Sequence, residues 1–131
     1  MRYILNYESR KHLNVEHFVK VRFLDVDSRI KYLSLSMMHK IYYGKAPSYL
    51  CNFEKTSNVH DHETRNSLMS YVLPEIKTHG RFSFRYNGAK LWNHLPLNIR
   101  ELESKDLFKT SCKKHLLSQM YEKEENQFVY Y

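Results

Sequence analysis

Apolar residues recur along most of this chain at helical spacing. Between residues 26 and 43, Val26, Ile30, Leu33, Met37 and Ile41 step by four, three, four and four, one stripe at the period of an α-helix. Leu35, Met38 and Tyr42 form a second stripe, which predicts a central helix touched on two sides. Truncating a stripe residue such as Leu33 to Ala is then expected to cost about 2–5 kcal/mol. Asp25 or Asp27 can cap this helix, Gly44 suits the left-handed position after it, and Pro47 suits the start of a short helix with Tyr49, Leu50 and Phe53 turned inward. Upstream, Asn14 is placed to cap a short helix over Val15–Lys20, with Val15, Phe18 and Val19 on one face. Downstream, Ser104 can cap a last helix over 105–121, in which Phe108, Cys112, Leu116 and Met120 step by four. Lys105, Lys109 and Lys113 keep the same step on a neighbouring face.

Between these helices the pattern changes. Residues 54–67 are polar and aperiodic and read as a loop. Residues 68–73, ended by Pro74, form a candidate strand. Phe82, Phe84 and Tyr86 alternate with Ser83 and Arg85, which reads as a second short strand, with a helix open as the alternative. Asn87-Gly88 is a turn signal, and two helical turns from Ala89 to Leu95 carry Leu91, Trp92 and Leu95 before Pro96 stops them. The fold class expected is mainly α: a small helical domain over 1–121 with about five helices and room for one short β-hairpin or strand pair. Residues 122–131 are expected to fray.

Composition narrows this picture. At 131 residues, 42% hydrophobic and 15% aromatic, the chain can bury a core, and three Gly and three Pro leave little linker. Cys51 and Cys112 match no zinc spacing and read as reduced thiols. No run reaches the roughly 18 apolar residues of a membrane span, and residues 1–11 lack an apolar signal core. An intracellular protein, cytoplasmic or nuclear, with no membrane partner is expected. The net charge of +7 is uneven. It is +5 over residues 1–50, −2 over 51–76, +6 over 77–114 and −2 over 115–131. Two basic blocks around an acidic loop are an electrostatic footprint for phosphate, or else a surface kept soluble by charge.

Three segments resemble one known family. Gly88 to Arg100 reads GAKLWNHLPLNIR, Arg29-Ile30 precedes YYGKAPSYL at Tyr42 to Leu50, and FKTSCKKHLL runs from Phe108 to Leu117. Together they are similar to the region just downstream of the polymerase domain in non-LTR (LINE-type) retrotransposon reverse transcriptases, in the family's order and near its spacing. The resemblance covers about residues 2–120. It implies that 1–24 correspond to end-of-thumb helices, with Met1 inside a longer frame. Residues 25–53 would be central helices, 54–67 a shortened loop, 68–103 the strand and Trp-helix segment, and 104–121 the basic closing helix. It implies a fragment that lacks fingers, palm and endonuclease and that helped hold template RNA or target DNA.

Catalytic chemistry is not expected. Two-metal nucleotidyl transfer needs paired carboxylates, and Asp25, Asp27, Asp61 and Asp106 include no adjacent pair. Asp25-x-Asp27 suits a helix start. His60, Asp61, His62 and Glu63 lack further ligands for a metal, and His39, His94 and His115 read as partners of the core. No Gly-rich phosphate loop occurs. The chain is therefore expected to be no enzyme and to use no cofactor or metal. The candidate nucleic-acid-binding residues are Lys77, Arg81, Arg85, Lys90, Arg100, Lys105, Lys109, Lys113 and Lys114, facing phosphates of RNA or of single-stranded or duplex DNA. Arg85 and Lys90, on either side of Tyr86, are the first contacts to test. Phe82, Phe84 and Trp92 are assigned chiefly to the core. A protein-interaction remnant working through Ile30, Leu33 and Met37, with the remainder of a reverse transcriptase or another copy as partner, and a relic open reading frame without activity are the alternatives.

Overall fold

The Asp25 side chain begins the longest central element: its Oδ1 accepts the Ser28 N–H at 2.9 Å, satisfying one of the free donors of the first turn. The computed structural model describes residues 15–58, 68–75, 80 and 83–128. These are mainly helical, in the order α1 (Val15–Lys20), α2 (Val26–Tyr42), α3 (Phe84–His94), α4 (Leu97–Arg100) and α5 (Lys105–Phe128), with short 3-10 turns at Ser48–Leu50 and Thr56–Asn58. The expectations for residues 2–7, Asn14, the stretch 59–67, Lys77, Arg81 and Phe82 lie outside the described residues. The chain divides into two compact units, residues 1–32 with 112–131, and residues 33–111.

In the first unit, α1 ends in a Schellman closure. Phe23 N–H reaches Phe18 O at 2.8 Å, which places Arg22 in the left-handed region at φ 54°. The Arg29 guanidinium lies 5.3 Å from the Tyr32 ring centroid, a cation–π contact. Cys112, Leu116 and Met120 are buried. Burial lifts the Cys112 thiol to about 12, so it stays protonated and packs as a small apolar group.

In the second unit, α2 ends in the same kind of closure. Lys45 N–H bonds Lys40 O at 2.7 Å and Gly44 N–H bonds Ile41 O at 3.2 Å, with Gly44 at φ 65°. The core contains Leu35, Met38, Ile41, Tyr71, Ala89, Trp92, Leu95, Ile99 and Phe108. Tyr42 stacks on Trp92 at 5.4 Å, and His39 stacks on Phe108 at 4.2 Å. Gly88 sits inside α3, not in a turn: a Cβ there would meet Met38 Sδ at 2.9 Å and Phe84 at 3.2 Å. Its missing side chain lets α3 approach α2. Gly88→Val is expected to lower the unfolding free energy by about 1–3 kcal/mol through overpacking, read from denaturant midpoints.

Several expectations are corrected. The row Val26, Ile30 and Leu33 is exposed at 72, 58 and 54%, so Leu33 is no core anchor. At 100° per residue its stripe lies roughly 130° round α2 from Leu35, Met38 and Tyr42, and the latter side is the one covered. Tyr49 is 76% exposed and so not turned inward. Where a strand was expected first and a helix as the alternative, the described residues Phe84–Tyr86 open α3, which Ser83 caps by accepting Tyr86 N–H at 3.4 Å. Residues 68–73 make one isolated bridge, Tyr71 with Lys55, flanked by Thr56 N–H to Ser70 O and Val72 N–H to Glu54 O. The last helix runs to Phe128, past the expected end at 121.

Candidate nucleic-acid interface

The buried side of α2 carries polar groups that organise the segment after α3. His39 Nε2 donates to Leu102 O at 2.8 Å, and the Tyr43 hydroxyl donates to Arg100 O at 3.0 Å. Burial holds the His39 pKa below its ordinary 6.5, opposed in part by the Leu102 hydrogen bond. An unfolded chain binds the proton near 6.5 while the folded chain resists it. Stability is therefore full above that pH and declines as pH falls below it. In His39→Phe this part of the melting-temperature-against-pH curve is expected to flatten, whereas an unchanged slope would remove His39 as its source.

Across the same unit, Trp92 Nε1 donates to Met69 O at 2.8 Å. Asn93 clamps Tyr71 on both backbone groups, accepting its N–H at 2.9 Å and donating to its carbonyl at 2.7 Å. Asn93 thus satisfies the two Tyr71 backbone groups as a neighbouring strand would. Arg100 joins this lattice. Its Nη1 donates to Met69 O at 3.0 Å and to Ser70 Oγ at 3.1 Å, and the residue is only 3% exposed.

The candidate cations therefore separate. Arg100 is withdrawn from any phosphate surface, because its guanidinium is committed to holding residues 69–70. Arg85 and Lys90 are both exposed. Five residues of helix turn them about 140° apart on α3, so they do not form one contact patch. Lys90 shares its face with Tyr86 instead. His94 Nδ1 donates to Lys90 O one turn on.

On α5 the buried stripe is as expected: Phe108, Cys112, Leu116 and Met120 are all 3% exposed or less. Lys105 is exposed, and Lys109 and Lys113 are half-buried on the flank of that stripe. Long side chains at such a flank lay their stems on apolar surface and keep the ammonium in water. Lys114 lies on the outward face with Leu107, Thr110, Ser118 and Tyr121, all exposed. Between residues 105 and 121 these four lysines stand against one acid, Asp106.

No family model matches the chain, and neither does any curated protein or solved structure. Among the described residues no group of His, Cys, Asp and Glu is arranged to hold a metal ion, and no helix is long and apolar enough to cross a membrane. The His60–Glu63 cluster lies outside the described residues. His39 is the core partner that the sequence predicted, whereas the structural roles of Tyr43, Asn93 and Arg100 in the hydrogen-bonded lattice were not legible there. Their only trace was polar residues inside otherwise apolar segments.

Proposed function

We propose that this chain is a fragment of a non-LTR retrotransposon reverse transcriptase, from the region C-terminal to the palm, that contributes non-specific RNA or DNA binding. The observation that carries the binding part is α5, a helix with one buried stripe and four lysines against a single acid over its first seventeen residues. Such a surface attracts phosphate backbone without reading bases. The ancestry rests on the sequence resemblance alone.

The test is the salt dependence of binding to a single strand. Each phosphate neutralised contributes a slope of about −0.7 in log K against log salt. Replacing Lys105, Lys109 and Lys113 together with Gln is expected to make the slope shallower by about 2. Binding that ignores salt, or a slope untouched by the triple substitution, contradicts the proposal.

The exposure of Val26, Ile30 and Leu33 favours a second reading, association through this face of α2. Ile30→Glu with Leu33→Glu is expected to abolish concentration-dependent association in sedimentation. A wild-type chain that stays monomeric up to high concentration would leave this face without a role.

A further inference from the structure

Residues Cys51, Asn52, Phe53 and Glu54 line an open groove of about 280 Å³ within the second unit, with Arg85 of α3 as its fifth lining residue. Its backbone is held in place. Cys51 N–H bonds Ser48 O at 3.0 Å, Phe53 N–H bonds Cys51 O at 2.8 Å, and Glu54 O accepts Val72 N–H at 2.8 Å. Phe53 is half-buried, its ring edge-on to Phe84 at 6.2 Å and tilted against Tyr71 at 5.3 Å. Asn52, Glu54 and Arg85 are exposed. The residues that line this single small depression thus carry, besides the Cys51 thiol, one aromatic ring, one cation, one amide and one carboxylate.

We propose, resting on the nucleic-acid reading above, that this groove seats one unpaired nucleotide of a single strand whose base carries an exocyclic amine. The mixed charge selects the ligand. A bare phosphate would be attracted by Arg85 but repelled by Glu54. A nucleotide satisfies both: its phosphate takes the guanidinium, its base lies on the Phe53 ring, and its amine donates to the Glu54 carboxylate, with Asn52 beside it. Duplex is a poor fit, because its bases are stacked and paired and offer no free face to Phe53. Uracil and thymine are poor fits, because they present a carbonyl where cytosine presents an amine.

The experiment compares fluorescence anisotropy of the full chain on oligo(rC) and oligo(rU) of about twelve nucleotides, a length within the usual range for single-strand binding sites. Both bases are pyrimidines, so stacking area is matched. Oligo(rC) is expected to bind about fivefold or more tighter. Glu54→Ala, which removes the acceptor, is expected to erase that preference while leaving the salt slope in place, and Asn52→Ala to reduce it. Both side chains are exposed, so the fold is expected to survive either change, as far-UV circular dichroism would report. Equal affinity for the two strands with a normal salt slope overturns the groove and leaves the α5 reading standing. A preference for cytosine that persists in Glu54→Ala also overturns the groove. Absence of binding to any strand at low salt sinks both readings.

Discussion

Trp92→Ala is expected to lose about 3–5 kcal/mol of unfolding free energy, the range for removing a fully buried aromatic side chain. Trp92 is 0% exposed, stacked on Tyr42 and 6.0 Å from Phe108 between ring centroids. It also ties α3 to residue 69 through its indole N–H. A protein of this kind is stable by only about 5–15 kcal/mol, so the loss removes a large part of the whole. Trp92→Phe keeps one ring of the contact and gives up the donor together with the volume of the second ring. Since Met69 O still accepts from Arg100, the carbonyl is not stranded and the cost of this change should be distinctly smaller. Equilibrium denaturation of both variants measures the two terms separately. Equal losses would mean that the hydrogen bond, and not the packing, carries the residue.

Arg100→Ala is expected to cost about 3–6 kcal/mol, because hydrogen bonds from charged donors contribute about 1.5–3 kcal/mol each and two are lost. Burial already lowers the Arg100 pKa, yet an arginine stays charged, so the fold must keep this cation supplied with acceptors. Arg100→Lys should recover only part of this loss, since its shorter, more strongly hydrated ammonium must be buried where Nη1 now reaches both Met69 O and Ser70 Oγ. The same variant separates structure from binding. With the folded fraction held equal, the salt slope for a single strand should not change in Arg100→Ala, whereas it should in the α5 lysine variants. A shallower slope in folded Arg100→Ala would return this residue to the interface.

The two experiments bear on a difference among cations that charge counting cannot see. Arg100 and Lys105 stand five residues apart in the same basic block, and formal charge ranks them alike. One is bonded to the Met69 carbonyl and the Ser70 hydroxyl, and the other faces solvent at the start of α5. Sequence reading weighed Arg100 as a phosphate contact because its partners lie about thirty residues upstream, in a segment with no periodicity of its own.

Local signals were legible where the physics is local. Asp25 caps α2, Gly44 takes the left-handed position that its Schellman closure requires, and Phe108 to Met120 follow one buried stripe at intervals of four. Each of these depends on residues within a turn or two of one another. The start of α3 was misread because Phe82, Phe84 and Tyr86 imitate strand alternation, while the deciding group is the Ser83 cap. Gly88 was misread as a turn because its purpose, room for Met38, belongs to a helix fifty residues away.

The chain's own pattern thus determined that it is mainly helical, where α1 and α2 begin and end, where α5 begins, and which face of α5 is dry, since dihedral preference, capping and periodicity act between near neighbours. Tertiary structure alone decided which of the two apolar sides of α2 is covered, that Asn93 binds the Tyr71 backbone, and that Arg100 is buried while Lys105 is exposed. Those outcomes depend on which distant groups come within hydrogen-bonding distance, and spacing along a chain carries no record of that.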